Sequence, residues 1–160
     1  MTKSVVVLLI IAICLVILSS CSDDDRWISS LHPYLSFRLL DKMSLIEGEV
    51  NSFMDFSELY ILSYPSDIEE DITNELDSGG VLMFYPMENQ KLQSLIMGHF
   101  GFYFTRHNMI KNIESEMNGY LWVNSSEQQF LSTPQSIINI NEIMLIDINN
   151  DRLIYVHYDD

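Results

Sequence analysis

The hydrophobic pattern consists of one unbroken apolar run followed by short, punctuated segments. Residues 5–18, VVVLLIIAICLVIL, contain no charge, Gly or Pro. Lys3 precedes the run, and Asp23, Asp24 and Asp25 follow it. A positive flank stays in the cytoplasm, so the rest of the chain is expected outside it. From Pro33, apolar residues recur at Leu35, Leu39, Met43 and Ile46, with Tyr34, Phe37 and Leu40 alongside. That spacing predicts a helix over 33–46, with Pro33 in its first turn and Gly48 marking its end. Residues 58–64, ELYILSY, read as a strand stopped by Pro65. Ser66-Asp67-Ile68-Glu69 fits a capping box, and Ile68, Ile72 and Leu76 line one side of the helix that follows. Gly79-Gly80 ends it, and 81–85, VLMFY, is a second strand closed by Pro86.

The second half is richer in strand signals. Leu92, Leu95 and Ile96 suit a helix within 88–97, and 100–105, FGFYFT, reads as an aromatic strand. Segment 109–117 is open between helix and strand. Residues 119–124 and 129–132 read as short strands around Asn124-Ser125-Ser126. Residues 143–148 and 152–158 flank Asn149-Asn150-Asp151, a hairpin signal. The expected class is α+β: an N-terminal membrane helix, then one helix and a mainly antiparallel β domain.

The apolar run has two competing fates. Its fourteen residues are fewer than the roughly 20 of a spanning helix and match the core of a secretory signal, about 7–15 residues. Leu18-Ser19-Ser20-Cys21 resembles the lipobox of bacterial lipoproteins, which makes Cys21 a candidate lipidation site. Ser19 to Ser22 are nevertheless uncharged and extend an uncleaved helix through residues 5–22. Simple secretion is a third outcome. The division is then 1–22 as membrane anchor or signal, 23–32 as spacer and 33–160 as a periplasmic domain. Trp27 either sits at the membrane interface or opens the domain.

Charge and cysteine usage narrow the partners. All 23 acidic residues, and every basic residue except Lys3, lie beyond residue 21. So acidic a domain disfavours nucleic acid and anionic lipid; its charge serves solubility, or else a basic partner surface. The run Glu69, Glu70, Asp71 and Glu75 reads as a solvated helix face, with docking of a partner as the alternative. Cys14 and Cys21 both belong to the N-terminal segment, so the domain has no disulfide framework, thiol nucleophile or thiolate metal site. No GxSxG, HExxH, P-loop or GxGxxG is present, and no catalytic, cofactor-binding or metal residue is assigned. His99 and His107 lack the carboxylates that would complete a metal set. An enzyme is not expected.

Two collective features point to binding or sensing. His32, His99, His107 and His157 all lie in the exported part. An unperturbed His titrates near about 6.5, so mild acid adds positive charge to a strongly acidic domain. These four are the pH-sensing candidates. The aromatics between Phe100 and Phe130 suit a core, and at alternate strand positions they also suit the mouth of a barrel holding an amphipathic small ligand.

Residues 113–134, IESEMNGYLWVNSSEQQFLSTP, resemble a segment of ToxS-like periplasmic co-regulators. The shared features are an acidic-apolar lead, Gly119, the strand Tyr120-Leu121-Trp122-Val123, a polar turn, a second strand around Phe130-Leu131, and Pro134. The layout is similar too, with one hydrophobic stretch and a domain of this size ending in a hairpin. Within the group, the likeness is nearest to the PsaF/MyfF fimbrial-expression regulators of Yersinia and more distant to VtrC. The resemblance implies a single-pass inner-membrane protein without enzymatic activity or cofactor. It would bind and activate or protect a ToxR-like transmembrane activator through that activator's periplasmic domain. It also implies acid-dependent expression of fimbrial or virulence genes, and a lipocalin-like barrel completed with the partner. The alternative is an acidic lipoprotein acting as a binding or immunity module against a basic secreted protein. If the anchor is uncleaved, as the resemblance implies, Cys21→Ala leaves mass and membrane fractionation unchanged. Labelled palmitate that is incorporated by the wild type and lost in this variant would establish the lipoprotein instead.

Overall fold

The computed structural model describes residues 25–51, 57–96, 98, 117–125 and 140–158. The anchor over 5–22, the strands expected over 100–105 and 129–132, and nearly all of 109–117 lie outside the described residues. Two short helices, α1 (Arg26–Leu31) and α2 (Phe37–Leu40), come first. Strands β1 (Ser44–Asn51) and β2 (Ser57–Ser63) follow. A 3-10 turn over Ser66–Ile68 leads into α3 (Glu69–Asp77) and then β3 (Val81–Tyr85). Residues 90–96 are helical. Strands β4 (Gly119–Val123), β5 (Glu142–Asp147) and β6 (Arg152–Tyr158) complete the chain. The six strands form one open sheet of order β1-β2-β6-β5-β4-β3, antiparallel at every step. The class is α+β, as expected.

Both faces of the sheet are covered, which explains why its central strands read as unbroken apolar runs rather than alternating ones. Every residue of β5 is buried. One face carries Tyr60, Leu62, Trp122, Met144, Ile146, Leu153 and Tyr155 against α1, α2 and α3. The other carries Leu59, Ile61, Leu121, Ile143, Leu145, Ile154 and Val156 against Ile96, Met117 and Ile140. The β5–β6 hairpin turns where the sequence places it. Asp147 accepts hydrogen bonds from the Asn149 backbone N–H (3.2 Å) and from Asn150 Nδ2 (2.7 Å), and Asp151 takes a left-handed φ of 50°.

The expected helix over 33–46 is not formed. Helix α2 stops at Leu40, the chain turns at Asp41-Lys42, and β1 begins at Ser44. Leu35, Leu39, Leu40 and Met43 are buried as the periodicity implied, but in a compact turn structure rather than one long helix. Ile46, assigned to the buried helix face, is instead 52% exposed. It is the extra residue of a bulge, since Leu45 pairs with Leu62 and Glu47 with Ile61. Gly48 lies within β1 opposite Tyr60, whose ring fills the space a Cβ would need. Sheet pairing outweighs the local helical periodicity here.

The second half of the 23–32 spacer is also structured. Trp27 and Leu31 are buried in the helix-side core, so Trp27 opens the domain. The capping hydrogen bond expected of Ser66 is not made. The chain enters α3 through the 3-10 turn, where the Ile68 N–H reaches the Pro65 carbonyl at 3.1 Å. The acidic face of α3 is not wholly solvated. Glu75 accepts from the Ser36 backbone N–H (2.6 Å) and from Ser36 Oγ (2.8 Å), so it caps α2, while Asp71 pairs with Arg38 at 3.2 Å.

Two close approaches tie β4 in place. Trp122, fully buried, donates from Nε1 to the Leu76 carbonyl at the end of α3 (2.8 Å). Gly119 lies so near the Ile146 carbonyl oxygen that a methyl group there would overlap it. Gly119→Ala is therefore expected to destabilise the fold by about 1–3 kcal/mol through overpacking. Gly79→Ala, where a Cβ meets nothing closer than 3.9 Å, should leave the urea midpoint near the wild-type value.

Candidate functional site

The most polar buried region is a row of side chains crossing one end of the sheet. Glu58 on β2 is the register partner of His157 on β6, and His157 is the partner of Glu142 on β5. Directly opposed residues of antiparallel strands share a face, so the three project together toward the helix side. Asn124, just past β4, extends the row, its backbone N–H meeting the Glu142 carbonyl at 3.2 Å. Glu58 and Glu142 are 6% and 8% exposed, and a buried carboxylate is costly unless well partnered.

Both have partners. Arg26 Nε reaches Glu58 Oε1 at 3.1 Å, and Ser30 Oγ donates to Oε2 at 2.6 Å. Both donors come from α1, so this carboxylate fixes that helix over β2. Glu142 collects four side-chain contacts. Tyr34 Oη and Asn124 Nδ2 donate to Oε2, Tyr155 Oη donates to Oε1 at 2.9 Å, and His157 Nδ1 lies 3.0 Å from Oε1. Asn124 Nδ2 also reaches Tyr34 Oη at 3.1 Å, and the Tyr34 ring rests on Trp122 with centroids 4.9 Å apart.

The electrostatics follow from these contacts. Burial alone would raise the Glu142 pKa, but the hydrogen bonds from His157, Tyr34, Asn124 and Tyr155 outweigh it and hold the carboxyl at about 2. Burial and the neighbouring carboxylate push the hydroxyls of Tyr34 and Tyr155 well above the ordinary tyrosine value. Both therefore stay protonated as donors. The site can hold a fixed anion in a dry setting and can respond to charge on His157. No group of three or more His, Cys, Asp or Glu side chains among the described residues is placed to hold a metal ion.

Of the four histidine candidates, His32 and His157 are among the described residues, and these two are not brought together. Among the described histidines, His157 joins the row and His32 does not. His32 is exposed and stacks on Phe37, with ring centroids 3.9 Å apart. His99 and His107 lie outside the described residues, as does Cys21. Among the described residues no helix is long and apolar enough to cross a membrane. Glu58, Glu142, Tyr34, Asn124 and Tyr155 were not singled out from the sequence. The available signal was a Glu opening each of two apolar strands, in Glu58-Leu59-Tyr60-Ile61-Leu62 and Glu142-Ile143-Met144-Leu145-Ile146. Only the strand register converts that signal into a site.

Fold and site together define an α+β domain on an open antiparallel sheet, with a hydrogen-bonded buried carboxylate at one end. No protein-family model matches the chain, and no curated protein or solved structure does either.

The depressed pKa makes Glu142 a stabilising group. Its contribution is complete above the ordinary carboxylate value of 4.5 and is lost as pH falls through about 2. Denaturation midpoints measured from pH 5 downward should fall less steeply for Glu142→Gln than for the wild type. At neutral pH, Glu142→Ala should cost at least about 2 kcal/mol, because it leaves buried donors unpaired.

Proposed function

We propose that the protein is a membrane-anchored periplasmic co-regulator that binds a ToxR-like transmembrane activator and activates or protects it. It would promote fimbrial or virulence gene expression in response to acid or another external cue. The observation that carries this reading is the position of His157 between two buried carboxylates that hold residues 26–34, the first described segment after the apolar run. Glu142 stays ionised down to about 2, so mild acid would place a charged imidazolium against a standing carboxylate. A histidine that gains such a partner on folding contributes stability that is fully present below its unfolded pKa. That contribution is lost as pH climbs through the folded value, so the acid side is the side on which the folded or partner-bound state is favoured. The open antiparallel sheet supports pairing with a partner's strands, and a barrel completed by that partner belongs to the same proposal. So does an amphipathic small ligand at its mouth.

The Leu18-Ser19-Ser20-Cys21 sequence favours a second reading, an acidic lipoprotein serving as a binding or immunity module. Co-expression separates the two. On the co-regulator reading, a ToxR-like periplasmic domain encoded beside this chain raises its melting temperature, since a partner bound only to the folded form stabilises it. An unchanged melting temperature at saturating partner removes the reading. Replacing His32, His99, His107 and His157 by Gln, singly and together, should flatten the pH response of reporter output. His157→Gln should account for most of that loss. A full response in the quadruple variant would rule out histidine sensing.

A further inference from the structure

The two edges of the sheet are unlike. Strand β1 is blunted by the bulge at Ile46 and carries Glu47 and Glu49, devices that discourage strand addition. Strand β3, Val81-Leu82-Met83-Phe84-Tyr85, is uncharged, pairs without a bulge with β4, and has no strand on its outer side among the described residues. Phe84 is 75% exposed on it, with its ring 5.2 Å from that of Tyr120. Beside this aromatic pair runs an open groove of about 260 Å³, lined by Thr73, Asn74 and Asp77 of α3 and by Leu82, Phe84 and Tyr120. That volume lies below the roughly 300–1,000 Å³ of small-molecule pockets and suits a side chain or two of a larger partner.

The groove's charge selects the occupant. Helix α3 carries Glu69, Glu70, Asp71, Glu75 and Asp77 and has no basic residue in its last turn. Asp77 therefore sits at the end of the helix where the macrodipole is already negative and a cation is favoured. Asp71 and Glu75 are engaged by Arg38 and Ser36, whereas no side chain among the described residues bonds Asp77. A long aliphatic stem lying over Phe84 and Tyr120 with a cationic head at Asp77 satisfies both features, and the ring faces add a cation–π attraction.

We infer that the outer edge of β3 and the adjoining groove dock an extended, Lys- or Arg-bearing strand of a partner protein. Main-chain hydrogen bonds to β3 would supply affinity, and the basic side chain in the groove would supply selectivity. The inference rests on the co-regulator reading only for which protein supplies that strand.

The test uses the purified full chain in detergent micelles and a short fluorescent peptide alternating Lys and Val. The expected result is saturable binding that weakens with salt. It should weaken by about tenfold or more in Phe84→Ser and in Asp77→Lys. A Glu–Val peptide and a Lys–Val peptide with N-methylated alternate amides should bind poorly, and Ile46→Ser at the other edge should bind as the wild type does. Both groove residues are exposed, so matching melting temperatures confirm that the variants are folded. Absence of saturable binding overturns the inference. So does binding that both groove variants leave intact, which would be general attraction to an acidic surface. A dimer of the chain that Phe84→Ser dissolves also overturns it, because the occupant is then a second copy. If Phe84→Ser loses the peptide yet leaves an activator-driven reporter unchanged, the groove stands and the activator is not the protein that supplies its strand.

Discussion

A carboxylate withdrawn from water must be answered by donors, and Glu142 is where this chain meets that requirement. Its donors come from the turn after α1, the end of β4 and two positions on β6. None of these can shift far without leaving a buried ion short of a partner, a penalty of several kcal/mol. The network therefore fixes how the N-terminal turn, β4 and the β5–β6 hairpin sit relative to one another. The apolar core supplies most of the burial but is less selective about register, since neighbouring hydrophobes substitute for one another more readily than hydrogen-bond donors do.

The two edges of the sheet differ in kind. The strands at the centre, β2, β6 and β5, have both faces covered and both edges paired. At the periphery, the two edge strands differ in composition, and among the described residues neither has a strand on its outer side. The acidic, bulged β1 lies beside β2 and the α1 clamp, whereas the neutral β3 lies beside α3 and its carboxylates. The only limit on strand addition that β3 itself shows is its length of five residues. Such an edge repels other acidic copies of the same chain through its surroundings while remaining open to a cation.

What the sequence disclosed depended on how local the determining interaction was. Strand β3, the helix after Ser66 and the β5–β6 hairpin were legible because glycines, prolines and Asn-Asn-Asp punctuation act over a few residues. Leu35, Leu39 and Met43 were correctly assigned to the core and wrongly to one helix. Their spacing satisfies a helix as well as it satisfies two turns leading into a strand, and the choice was made by pairing with β2, which is not a local interaction. Helix α1 leaves little trace in the sequence because RWISSL offers only Trp27, Ile28 and Leu31 against a polar background. The carboxylate row was invisible for a stronger reason. Glu58 and His157 become neighbours only once the strand order places β6 between β2 and β5, an arrangement no spacing in the chain encodes. His157 could be named as titratable, but its partners could not.

The direction of coupling can be reasoned from where the donors originate. Arg26 and Ser30 answer Glu58, and Tyr34 answers Glu142, so three of the residues holding the row belong to one stretch of chain. Of the remaining partners of Glu142, Asn124 lies just past β4, and Tyr155 and His157 sit on β6 at the centre of the sheet. A charge appearing on His157 would strengthen its share of Glu142 without removing Tyr34, because the two bond different oxygens, Oε1 and Oε2. Acid would thus strengthen the carboxylate row while leaving the hold of Glu142 on Tyr34 in place rather than releasing it. On the proposed reading, that segment joins the domain to the membrane. The signal passed inward would be a juxtamembrane helix that stays docked in mild acid on a strengthened carboxylate row.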